Sequence, residues 1–308
     1  MNYNYYYEKW TIPEKYCKLR EWINKKNLCK HTKSFSTLSS NQNAIKFIKD
    51  NLNEMLCMGK IFLMDLSANE NAIELLEKNK DIIYWNMLSL NSNAIKLLEQ
   101  NPDKIDWYYL SANENAIHLL EQNPDKINWN DLSSNPNAIN LLEQNQENID
   151  WYNLSSNPNA IELLKQNQNK IIWYILSLNS NAIELLEQNP DKIDWYSLSS
   201  NPNAIHLLEK NFDKINWYYL SSNPNAIHLL EQNQEKIDWN WLSFNPSAIF
   251  LLEKNQDKIH WNNILENPAI FTYDYKQIKK EREQLNKEFV EYMYHPSRVF
   301  NYFTLFLL

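Results

Sequence analysis

Asn113 to Ser134 reads NENAIHLLEQNPDKINWNDLSS. The same 22-residue pattern recurs nine times without slippage from Asn69 to Glu266. Its most visible mark is a tryptophan at Trp85, Trp107, Trp129, Trp151, Trp173, Trp195, Trp217, Trp239 and Trp261. A fixed period of this size signals a repeat array, in which each unit buries its apolar face only against its neighbours.

With positions numbered 1 to 22, the unit spells two helices. Positions 1 and 2 are often Asn-Pro, as at Asn135-Pro136, Asn157-Pro158 and Asn201-Pro202. Asn caps a helix start, and Pro suits the first helical position, where its missing N–H is not needed. Ala, Ile, Leu and Leu at positions 4, 5, 7 and 8 form one apolar face. Position 11 is always Asn, often followed by Pro or Gln. That reads as a stop in the left-handed conformation after about nine residues of helix A. Position 16 is mostly Asp or Asn and reads as a second cap. The Ile before it and the Leu at position 20 make a hydrophobic staple, and Trp at position 17 opens a short helix B. A leucine-rich repeat can share the period, but no register of I-x-W-x-x-L-S-x-N gives its L-x-x-L-x-L order.

The pattern decays outward. NQNAIKFI from Asn41 to Ile48 starts a copy whose successor, Asn69, lies 28 residues on. Six residues are therefore inserted near Gly59, and Leu63 stands where Trp is expected. Residues 41–68 form an atypical first unit and 69–266 nine full ones. Residues 1–40 read as an N-terminal cap, with a helix over Lys15 to Asn24 that buries Leu19 and Trp22. Residues 267–308 read as a C-terminal cap: NPAIF, a helix over Tyr273 to Tyr294, and a further short helix from Ser297. The expected fold is all-α. It is an α-solenoid of short helical hairpins with capping helices at both ends and no sheet, about 90 Å long at ~10 Å per unit.

Charge and composition narrow the function. Residues 69–266 carry 27 acidic and 13 basic side chains, a net of −14, against −8 for the whole chain. An acidic array is a poor phosphate tracker, so nucleic acid is not its expected partner. Residues 1–40 carry +5 and could meet an acidic partner. Cys17, Cys29 and Cys57 form no CxxC pair, which fits free thiols in a reducing compartment. No signal peptide is evident, and no apolar run approaches the ~20 residues a membrane helix needs. With a single glycine, phosphate-cradling loops are not expected either.

The unit NPNAIxLLExNPDKIDWxxLSS, with the closing KEFVEYMYHPSRVFNY, resembles tandem repeats abundant in proteins of giant DNA viruses that infect amoebae, of the Mimivirus kind. The resemblance covers Asn41 to Tyr302. It implies a viral protein acting in host cytoplasm and supplies no activity, because such proteins are generally without assigned function.

No residue set breaks the repeat symmetry in the way a catalytic site would. His118, His206 and His228 share position 6 with Glu, Lys, Asn and Phe in other copies. They read as surface residues, and neither a metal nor a cofactor is expected. The Glu at position 9 is expected to pair along the stack or with Lys at position 14. The Asn at positions 1 and 11 are expected to cap and to bond between units, and the Trp column to be core. Positions 18 and 19 vary and are rich in aromatics, the composition of binding faces. Tyr108, Tyr109, Tyr196, Tyr218, Tyr219 and Trp241 are therefore the candidate contact residues for a protein partner, with Trp241 expected to be exposed. The expected function is a non-enzymatic interaction scaffold. The alternatives are an adaptor that recruits through its N-terminus, or a structural component of a particle.

Overall fold

The computed structural model describes residues 11–23, 35–56 and 59–293. Each full copy holds the two expected helices. In the copy from Asn201, the Asn201 side chain accepts a hydrogen bond from the Asn203 amide and caps a 3-10 turn, Pro202–Ala204. Helix A, Ile205–Lys210, continues from it. A second 3-10 turn, Phe212–Lys214, leads to Asn216, which caps helix B, Trp217–Leu220. The acidic or amide residue at position 16 caps in the same way at Asp106, Asn128, Asp150, Asp194 and Asp238. Between the helices the core repeats: Ala204, Leu208 and Leu220 have no exposed surface, nor do their equivalents in neighbouring copies.

Two local expectations fail. Asn at position 11 is not left-handed; Asn211 has φ −127° and ψ 53°, and among the described residues only Gly59 has a positive φ. It ends helix A by another route. Its side-chain amide donates to the carbonyl four residues back, Asn211 to Leu207 at 2.9 Å, which satisfies an orphan carbonyl of the last turn. The bond lies within the unit, not between units. The Trp column, for its part, is half-buried and packs against the core from outside. At Trp107, Trp151, Trp195, Trp217 and Trp239 the Lys at position 14 of the next copy covers the exposed ring: Lys126 lies 4.4 Å from the centre of Trp107, and Lys214 4.5 Å from Trp195. Opening helix B at its first turn, the Trp sits at the rim of the core, while the Leu three residues on points into it.

The array is not an open solenoid. Asn at position 1 is fully or almost fully buried, and its amide donates to the carbonyl of the previous position-1 Asn and to that of the residue two before it. Asn157, for example, donates to Asn135 at 2.9 Å and to Ser133 at 3.0 Å. This ladder runs unbroken through Asn69, Asn91, Asn113, Asn135, Asn157, Asn179, Asn201, Asn223, Asn245 and Asn267. Asn41 then donates to Leu265 at 2.9 Å and to Asn267 at 3.1 Å, the same bond pair across 226 residues of chain. The first unit follows the last as any unit follows its neighbour, so eleven position-1 turns close into a ring. Helix B and the Asn turns pack closely from unit to unit, while successive helices A do not. In a closed ring the more tightly spaced layer is the inner one. Each unit is thus a wedge that turns the chain by about 33°.

The Asn267 copy lacks helix A and runs instead into a strand, β2 (Phe271–Tyr273). Antiparallel to it lies β1 (Cys17–Leu19), in the register Cys17–Tyr273, Lys18–Thr272 and Leu19–Phe271. The expected N-terminal helix is therefore replaced by a 3-10 turn, Glu14–Tyr16, and this strand, with Leu19 and Trp22 half-buried. The two-stranded ribbon, which overturns the expectation of no sheet, fills the gap left by the missing helix. Arg20 donates its backbone amide to Ile270 and its guanidinium Nε to Ala269 at 2.7 Å. Asn43 accepts from the Ile12 amide and donates to Pro268. Cys17 is buried here, its thiol pushed up to about 12 by that burial, which makes it a packing residue. The C-terminal helix, Tyr275–Met293, begins beside the seam. The short helix expected from Ser297, the N-terminal basic residues Lys25, Lys26, Lys30 and Lys33, and Cys29 and Cys57 lie outside the described residues.

Candidate interaction surface

Helix B carries the variable side chains on a scaffold fixed from below. Ser at position 21 is buried, donates to the Trp carbonyl four residues back, and accepts the position-16 amide of the next copy. Ser199 bonds Trp195 at 2.7 Å and the Asn216 amide at 2.9 Å. The only full copy without this serine has the buried Leu265 in its place, and the copy that follows it, from Asn267, has no position 16 to bond. Asn at position 3 adds a second ladder, as where Asn159 donates to Pro136 at 2.9 Å.

On this base four position-18 tyrosines stand in consecutive copies, Tyr152, Tyr174, Tyr196 and Tyr218, all exposed. The Tyr152 and Tyr174 rings meet edge-on at 6.1 Å, and a hydrogen bond that Tyr174 donates to Tyr152 raises the Tyr174 hydroxyl above its usual range. Further along, Tyr218 meets Tyr219 at 5.2 Å and Trp241 at 5.3 Å, and Tyr219 lies 6.2 Å from Trp241. Tyr196 joins through Tyr219 at 6.4 Å, and Phe244 through Trp241 at 5.8 Å. Four of the six candidates thus form one cluster over three copies. Trp241 and Tyr219 are half-buried within it, not freely exposed, because neighbouring rings cover them. Tyr108 and Tyr109 pair with each other at 5.3 Å and lie apart from it. Beside them burial raises the Asp131 carboxyl, opposed by a hydrogen bond from Tyr108. Tyr152, Tyr174 and Phe244 were not among the candidates. The unbroken Tyr at 22-residue spacing was the signal for the first two.

No family model, no curated protein and no solved structure matches this chain. The site's chemistry therefore rests on its own residues.

The position-6 histidines face outward as expected, and each pairs with the Glu at position 9 one copy back: His118 with Glu99 at 3.1 Å, His206 with Glu187 and His228 with Glu209 at 2.9 Å. Where position 9 is Lys, the next position 6 is Glu, as in Lys49–Glu74 and Lys165–Glu184. These exposed pairs link helices A around the rim and are individually weak. Among the described residues no group of three His, Cys, Asp or Glu side chains is placed to hold a metal ion, and no helix is long and apolar enough to cross a membrane.

Proposed function

We propose that the ring is a non-enzymatic protein-binding scaffold whose contact surface is the helix-B face from Tyr152 to Phe244. The observation that carries this reading is the contiguous cluster of Tyr196, Tyr218, Tyr219, Trp241 and Phe244. Aromatic rings braced against one another lose little entropy on binding, so a few can dominate an interface. Regular acidic surroundings, net −14 over the full copies, suit a partner segment bearing basic side chains, which can also stack on the exposed tyrosines. Of the basic residues behind the adaptor reading, Lys15 and Arg20 make bonds within the chain at the seam. A role in the cytoplasm, that of the host if the chain is viral, goes with this reading.

The test uses the intact chain as bait and compares it with Tyr196→Ser/Tyr218→Ser, two exposed positions outside the core. Circular dichroism and thermal midpoint should stay unchanged, while a directly binding partner should be lost at least tenfold. Equal capture by both forms, with both folded, would move the interface away from helix B.

A further inference from the structure

The C-terminal helix is tied to the N-terminal segment through its first half. Glu281 accepts from the Lys15 ammonium at 2.6 Å and from the Tyr16 hydroxyl at 3.0 Å, and these bonds, Lys15 foremost, hold its carboxyl below the usual range. Ile278 is half-buried in the same contact. Beyond Glu281 the character changes. Leu285, Phe289 and Val290 are 65%, 62% and 52% exposed on a helix rich in charged residues. Twelve residues of projecting helix would be marginal in water unsupported, and large apolar side chains at this exposure mark a covered surface.

The charges say what covers it. The first half of the helix holds Lys276, Lys279, Lys280 and Arg282, with its one acid, Glu281, already paired to Lys15. The second half holds Glu283, Glu288 and Glu291, with one base, Lys287. Within the helix they meet at Lys279–Glu283, 3.9 Å apart, and Gln284 donates to Glu288 at 2.9 Å. We propose that this helix pairs antiparallel with the same helix of a second copy of the chain. A two-fold axis then sets the basic half of each against the acidic half of the other, twice over. Leu285 and Phe289, one turn apart, form the apolar seam between them. A parallel pair would oppose like charges, and a helix uniform in charge would carry no such preference. The helix is about 28 Å long, so the interface is small and the dimer belongs in the micromolar range.

The full chain, followed by light scattering after size-exclusion chromatography from ~1 to ~100 µM, should pass from monomer to dimer. Leu285→Glu/Phe289→Glu should stay monomeric with unchanged circular dichroism. Two charge variants separate this pairing from other self-association. One replaces Lys276, Lys279, Lys280 and Arg282 by Glu, and the other replaces Glu283, Glu288 and Glu291 by Lys. Each alone should dimerise at least tenfold more weakly than the parent, and their equimolar mixture should restore the dimer. A parent that stays monomeric at ~100 µM overturns the proposal. So does a dimer that survives Leu285→Glu/Phe289→Glu, or charge variants that do not complement each other.

Discussion

Replacing Asn157 by Asp should destabilise the ring more than replacing it by Ala, although Asp is an excellent helix cap. Asn157 has no exposed surface. Its Oδ1 accepts the Asn159 amide at 3.0 Å, and its Nδ2 donates to Ser133 at 3.0 Å and Asn135 at 2.9 Å. Alanine removes a cap worth about 1 kcal/mol and two donors to buried carbonyls. The Asn135 carbonyl keeps the Ala138 amide as a second partner. The loss is therefore about 3–4 kcal/mol in all. Aspartate keeps the cap but turns a carboxylate oxygen toward two carbonyl oxygens in a dry site, so its cost should exceed that of alanine, about 5 kcal/mol or more. The new carboxyl's pKa is raised in the fold above its unfolded value of about 3.9. Its penalty is then full above the folded pKa and vanishes below the unfolded one. The gap between wild type and Asn157→Asp should accordingly narrow as pH falls from 7 toward 4. Urea unfolding followed by tryptophan fluorescence reads all three proteins. The control is Asn145→Asp, where a single half-buried bond to Leu141 is lost, at about 1 kcal/mol. An Asn157→Asp protein as stable at pH 7 as Asn157→Ala would refute the ladder as the inner fastening of the ring.

Leu176→Ala should cost about 2–5 kcal/mol in the same assay, since Leu176 is wholly buried, whereas Lys170→Met, which removes the ammonium over Trp151, should cost about 1 kcal/mol or less. At the seam, burial pushes Asp65 up to about 6 and Glu266 up to about 7, the latter also through the Asp65 charge. Their ionisation opposes folding above those values, so the wild type should gain stability as pH falls from about 8 to 5, and Asp65→Asn/Glu266→Gln should flatten that slope in urea titrations. Removing residues 1–23 takes away β1 and the Arg20 and Ile12 bonds. Hydrogen exchange should then rise at the turns of Asn41 and Asn267 while residues 113–200 stay protected, and a uniform rise would contradict a local seam.

The repeat unit was legible because its signals are short-range. Asn201, Pro202 and Asn216 act within three residues of themselves, and Ala204, Leu208 and Leu220 return at helical spacing. The aromatic face was half legible: positions 18 and 19 are variable in the sequence, but only packing shows that Tyr196, Tyr218, Tyr219 and Trp241 touch while Tyr108 and Tyr109 stand apart. The Trp column misled, because an unvarying tryptophan looks like core. At Trp107, Trp151, Trp195, Trp217 and Trp239 the partner is the Lys at position 14 one copy later, whose ammonium over the ring leaves no trace in hydropathy.

By itself the sequence determined the number of full copies, the two helices in each and the caps that start them. Tertiary structure alone decided that the array closes. Closure depends on a rotation of about 33° per unit, summed over eleven units. That rotation is the small difference between the close spacing of the Asn turns and helices B and the wider spacing of helices A, and no single residue encodes it. Asn41 lies 226 residues from Asn267, and the β1 partners Cys17 and Leu19 lie still farther along the chain from Tyr273 and Phe271. Only the completed curve brings those partners together, where the N-terminal strand takes the place of the helix the last copy lacks.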